Sequence, residues 1–143
     1  MYKGNSYDLL LHEEVYMPTE VIKTALLLQK SIKNQYSRHL LMDRLANTDY
    51  KHNYTDEDLQ KAIERLRENP IKPFEVGLNK YGGKLYLDKQ CVRLSYDNFV
   101  DICIVVSGNG IVITAWLNDK MDTHKTLNKW RYNTKEEYER ILK

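Results

Sequence analysis

Up to about residue 70 the apolar positions recur with the period of a helix, and from there to about residue 117 they alternate with the period of a strand. Behind Pro18-Thr19, the residues Val21, Ala25, Leu28 and Ile32 fall about one turn apart, which predicts a helix over 20–33 with a wide buried face. Ser37 is placed to cap a second helix, RHLLMDRLAN, with Leu41 and Leu45 inward. The polar stretch from Asn47 to Tyr54 reads as a loop. Thr55-Asp-Glu-Asp58 is then a capping box with aspartate in its third helical position, followed by an apolar stripe of Leu59, Ala62, Ile63 and Leu66. Asn69-Pro70 stops that helix, because the residue before a proline is pushed out of the helical region.

Beyond Pro70, Phe74, Val76 and Leu78 alternate with polar or small residues, and Tyr81-Gly82-Gly83 reads as a turn. Further strands are expected at Lys84–Asp88, Cys91–Tyr96, Val100–Ser107 and Ile111–Leu117, making five. Gly108-Asn109-Gly110 tests the register of the last two. A two-residue type I′ turn at Asn109-Gly110 sets Val106 opposite Ile113, Ile104 opposite Ala115 and Ile102 opposite Leu117. Val105 then meets Thr114, Cys103 meets Trp116, and Asp101 meets Asn118. A slip of one residue would mix the faces. One face is therefore apolar and the other mixed, with Cys91, Arg93 and Ser95 adding to the mixed side. Past Leu117 a polar loop leads to a short helix, Thr134 to Leu142, opened by the capping box Thr134-Lys-Glu-Glu137. The whole, residues 1–143, is expected to be one α+β domain. It is helical over 1–70, a twisted antiparallel sheet covered on one face over 71–117, and a loop with a short C-terminal helix over 118–143.

Composition narrows the function classes. With 42% apolar and 29% charged residues, a packed core is expected. No apolar run reaches the ~20 residues needed to span a bilayer, and the N-terminal stretch lacks the apolar run of a secretory signal. A cytoplasmic protein without a membrane partner is the expectation. The two cysteines, Cys91 and Cys103, form no Cys-x-x-Cys and are expected as reduced thiols. The histidines (His12, His39, His52, His124) have no metal-ligand spacing, so neither a metal nor a cofactor is expected. Net charge is only +2; residues 1–70 carry 10 Lys and Arg against 11 Asp and Glu, and 71–143 carry 12 against 9. An RNA partner would have to be gripped locally rather than drawn in by a large field. The eleven tyrosines suit either base stacking or half-buried strand positions.

No phosphate loop, Gly-x-Ser-x-Gly or dinucleotide fingerprint is present. What remains is a dispersed set able to handle a phosphodiester. Cleaving RNA without metal needs a base for the 2′-hydroxyl proton, an acid for the leaving oxygen, and a cation for the charge growing on phosphorus. His39 lies at the start of the second helix, where the dipole favours a phosphate, with Asp43 one turn on to orient it. Arg44 follows on the same helix. Arg93 would hold a phosphate from the mixed face. If the Ser95–Phe99 hairpin is tight, however, Arg93 faces Asp101 in a cross-strand ion pair, and Cys91 faces Cys103. Thr114 and Asn118 project from the mixed face, Trp116 can stack a base or pack, and Lys120 and His124 occupy the following loop.

The order Ser37-Arg-His39, a helix with Arg44, the capped acidic helix from Tyr54-Thr-Asp-Glu-Asp58-Leu, and a last core strand Gly-Ile-Val-Ile-Thr114-Ala-Trp resembles the barnase–EndoU–colicin–RelE superfamily of small ribonuclease-like domains. The likeness covers roughly residues 36–130. It implies a toxin-like, metal-independent endoribonuclease of bacterial or phage type, leaving a cyclic phosphate. His39, Arg44, Thr114 and Lys120 stand at the matching positions. In that enzyme His39 or His124 transfers protons, Arg93, Arg44 or Lys120 steadies charge, and Thr114 and Asn118 position the phosphate. The rival expectation is a non-catalytic inhibitor or antitoxin-like protein that meets a protein partner or host target through its tyrosine-rich surface and mixed sheet face.

Overall fold

A computed structural model describes residues 17–46, 53–81 and 84–122, and in them the change of periodicity near Pro70 is the boundary between three helices and a sheet. The helices are α1 (Thr19–Lys30), α2 (Arg38–Ala46) and α3 (Asp56–Glu68). The strands are β1 (Glu75–Tyr81), β2 (Lys84–Ser95), β3 (Val100–Ser107) and β4 (Val112–Asp119), joined in the order β1-β2-β3-β4 with every neighbour antiparallel. The α+β class follows from the pattern. The expected C-terminal helix lies outside the described residues.

Four strands stand where five were expected, because Lys84–Asp88 and Cys91–Tyr96 are parts of one long β2. The polar Asp88-Lys89-Gln90 that reads as a break is absorbed in two ways. Between Gly77 and Leu78 the β1–β2 register shifts, so that Gly77 faces Lys89 and Leu78 faces Leu87, leaving Asp88 as the extra residue of a bulge. Gln90 points into the protein, fully buried, and its amide donates to the Ala25 carbonyl oxygen of α1 at 3.0 Å.

The β3–β4 register is the expected one from Ile102–Leu117 to Val105–Thr114, then shifts so that Val106 faces Val112 rather than Ile113. The turn is the cause. It is a three-residue loop, with the Gly110 N–H donating to the Ser107 carbonyl and Gly110 at φ +84°, whereas Asn109 keeps a negative φ and a type I′ turn requires a positive one. Ile113 thereby moves to the mixed side and Val112 takes the core position. The β2–β3 register is displaced by two residues from expectation: Ser95 faces Asp101, Arg93 faces Cys103 and Cys91 faces Val105. Asp97 sets this longer loop, its carboxylate accepting from the Phe99 and Val100 N–H groups at 2.7 and 2.9 Å.

The core joins Val92, Leu94, Ile102, Ile104, Val106, Val112, Ala115 and Leu117 of the sheet to Leu40 of α2 and to Leu59, Ala62, Ile63 and Leu66 of α3. Each of the Val, Leu and Ile side chains contributes about 1.5–3 kcal/mol on burial. α3 forms as its sequence dictates. The Thr55 hydroxyl accepts from the Asp58 N–H and the Asp58 carboxylate from the Thr55 N–H, both at 3.0 Å. In α2, Leu40 is the inward residue and Leu41 is 47% exposed, against the expected phase. The cap decides it: Ser37 Oγ accepts from the Leu40 N–H at 3.0 Å and donates to the Ile113 carbonyl at 2.5 Å, fixing the helix's rotation against β4. Just before it, Tyr36 bridges Val112 in parallel, so the α1–α2 loop extends the sheet beyond β4.

Candidate functional site

At one end of the mixed face, three neighbouring strands line up Ser95, Asp101 and Asn118 across the sheet, with Arg93, Cys103 and Trp116 in the next row. Asp101 is the common acceptor. Its Oδ2 takes Arg93 Nε at 3.1 Å and its Oδ1 takes Lys120 Nζ at 2.6 Å, while Lys120 also reaches Ser95 Oγ at 2.9 Å. The other guanidinium nitrogens of Arg93 donate to the Asp122 and Asp119 carbonyls, at 2.6 and 2.9 Å, and its Cζ lies 4.8 Å from the Phe74 ring centroid. Asn118 donates to the same two carbonyls, at 3.0 and 3.1 Å, and accepts from Trp116 Nε1 at 3.2 Å. The arrangement clamps the turn that follows β4. All three guanidinium nitrogens bond within the chain, so an incoming anion would have to compete with Asp101 for these cations.

Beside this network Cys91, Cys103 and Val105 are buried, with Ile113 and Trp116 packed against them. Both thiols are free. The two cysteines sit diagonally rather than opposite one another, Cys91 facing Val105. The hydrogen bond between the thiols pulls Cys103 below the ordinary thiol range and pushes Cys91 well above it, burial adding to the rise at Cys91. Glu75, the β1 partner of Cys91, is 2% exposed and raises that thiol further.

His39 is exposed on the first turn of α2, and the Ser37 bond to the Ile113 carbonyl holds that turn beside the start of β4. Thr114 is half-buried opposite Val105. Lys120, Arg93 and Asn118 gather at the other end of β4. Seven residue steps, roughly 23 Å at 3.3 Å each, separate Ile113 from Lys120 just past the end of β4. The sequence-predicted residues thus do not converge: α2, which carries His39, packs on the apolar face through Leu40, Thr114 lies on the mixed face opposite Val105, and Arg93, Asn118, Lys120 and Trp116 gather toward the other end of that face. The side chain of Arg44 and all of His124 lie outside the described residues. Among those residues no group of His, Cys, Asp and Glu could hold a metal ion, and no helix is long and apolar enough to cross a membrane.

Two grooves were not anticipated. One, about 450 Å³, lies along α1 between Lys23, Leu26, Leu27, Lys30 and Pro70, with Leu27 66% exposed. Its signal was available, since Leu26 and Leu27 fall off the stripe set by Val21, Ala25, Leu28 and Ile32. The other, about 500 Å³, lies between α3 and the β2–β3 loop and is lined by Lys61, Ala62, Arg65, Leu94, Tyr96 and Ile102 among others. Its walls come from elements distant in sequence, and no local pattern announces it. No family model, no curated protein and no solved structure matches the chain.

Proposed function

We propose that this is a non-catalytic binding protein of the cytoplasm that acts through protein–protein contact, with the outer face of α1 as its contact surface. The observation that carries the reading is Leu27, largely exposed beside Leu26 and Pro70 and flanked at helical spacing by Lys23 and Lys30. A single apolar side chain set between two cations suits an amphipathic, acidic segment of a partner, such as a host target or a cognate toxin-like protein. The internal engagement of Arg93 and Lys120 supports the same reading, because those cations serve the fold. The test places a photo-crosslinking residue at position 27 in cells. One partner should be captured in stoichiometric yield, and the purified pair should lose affinity at least tenfold with Leu27→Glu and keep it with His39→Ala. Binding indifferent to Leu27, Lys23 and Lys30 would remove the proposal.

A second reading rests on His39, whose exposed imidazole sits on a capped helix turn docked on the Ile113 carbonyl of β4. It is the metal-independent endoribonuclease suggested by the resemblance to the barnase–EndoU–colicin–RelE superfamily, with RNA as partner. Purified protein incubated with total RNA and EDTA should then yield cyclic-phosphate ends, and His39→Ala should abolish them. Intact RNA, or cleavage unchanged in the variant, eliminates this reading.

A further inference from the structure

We infer that the groove between α3 and the β2–β3 loop binds a small amphipathic anion: an apolar body ending in one carboxylate or phosphate. Ala62, Leu94 and Ile102 make its floor, each buried and apolar, so a ligand body placed there leaves water for hydrocarbon. At about 500 Å³ the groove falls within the range that small-molecule sites occupy. Lys61 and Arg65 stand one turn apart on α3 along its wall, and both belong to its lining. Lys61 pairs with Glu57 at 3.1 Å, in a pair so exposed that it competes weakly. Among the described residues, no hydrogen bond or ion pair engages the Arg65 guanidinium.

Among the described residues of the lining Asp58 is the only carboxylate, and it is already committed. It accepts the Thr55 N–H and the Tyr96 hydroxyl, the latter at 2.9 Å, and these bonds hold its carboxyl below its ordinary range. The same Tyr96 bond ties the β2–β3 loop to the start of α3 and so fixes the spacing of the groove's walls. A lining with two cations, one engaged carboxylate and an apolar floor selects an anion over a cation of the same shape. The inference stands on residues apart from the α1 contact face and survives or fails independently of it.

The test is a titration of the full chain, isotope-labelled, with octanoate, octyl phosphate and octylamine, followed by amide chemical shifts. Octanoate or octyl phosphate should produce saturable shifts at Ala62, Arg65 and Tyr96, and the stronger of the two identifies the headgroup. Octylamine should not. Arg65→Glu, at an exposed position that leaves the fold intact, should weaken the anion at least tenfold, and Ala62→Leu, which fills the floor, should block it. The inference is overturned by an equal response to octylamine, by shifts centred on Leu27, by no saturable shift, or by an Arg65→Glu protein that binds as before.

Discussion

Asp101 shows how cations expected to serve a ligand come to serve the fold. Its carboxylate holds Arg93 and Lys120 together, with the Arg93 side chain 9% and the Asp101 side chain 18% exposed. Removing one partner of so dry a cluster strands the others' charge. Asp101→Ala should therefore cost about 3 kcal/mol in urea unfolding, far above the 0–1 kcal/mol of a surface pair. A loss under 1 kcal/mol would mean that water replaces the carboxylate freely. The Arg93–Asp101 pair was legible in the alternation of β2 and β3 even though the register was not. A displacement of two residues keeps every side chain on its face, so the pair meets diagonally instead of directly. The Asp119 and Asp122 carbonyls that complete the shell were not legible, because they depend on the path of a turn that no periodicity encodes. For the same reason His39 and Lys120 could be read as members of one site: spacing in sequence says which face a residue takes, not which end of a strand it reaches.

At the scale of elements, α3 and the β3–β4 hairpin were written in short local signals, and each signal can be removed. Thr55→Ala should cost about 1 kcal/mol by leaving the Asp58 N–H without its cap. The cap also sets an acid dependence. Bonds from the Thr55 N–H and then the Tyr96 hydroxyl lower the Asp58 pKa below its ordinary value of 3.8. A carboxyl depressed in the folded state contributes its full stability above that ordinary value and loses it as pH falls through the folded one. Melting curves of the wild-type and Asp58→Asn proteins should thus lie furthest apart above about pH 4 and converge below it. Curves that stay parallel into acid would detach Asp58 from this linkage. In the hairpin, Gly110→Ala should cost about 1–2 kcal/mol, since φ is +84° there and the new Cβ would lie 3.2 Å from the Ser31 carbonyl oxygen. The continuity of β2 could not be read locally. Three consecutive polar residues look like a break until Gln90 is seen to have partners on α1, far off in sequence.

Those partners govern the whole molecule, because α1 is fastened by polar bonds as well as by packing. Gln29, fully buried, donates to the Ile71 carbonyl at 2.7 Å and to Gln90 Oε1 at 2.9 Å, and accepts from the Ile71 N–H at 2.8 Å. One side chain thus joins α1 to the α3–β1 connection and to β2. Gln29→Met keeps nearly the same volume but leaves the Ile71 N–H, the Ile71 carbonyl and the Gln90 amide oxygen without this partner. At 1–3 kcal/mol for each buried polar group so orphaned, and with some recovered by relaxation, the loss should be about 3 kcal/mol. The pattern of the loss matters more than its size. The bonds cross from α1 to the rest, while α3 and β2–β4 share a core that Gln29 does not enter. Amide exchange in Gln29→Met should therefore quicken across α1 and at Ile71 and stay slow in α3 and β3, a local opening rather than a global one. Because Leu27, Lys23 and Lys30 all ride on α1, the same variant should weaken the proposed partner although it alters no residue of the contact face. Uniformly faster exchange, or undiminished partner binding from a loosened α1, would show that the helix is not held as a unit by Gln29 and that its rigidity plays no part in recognition.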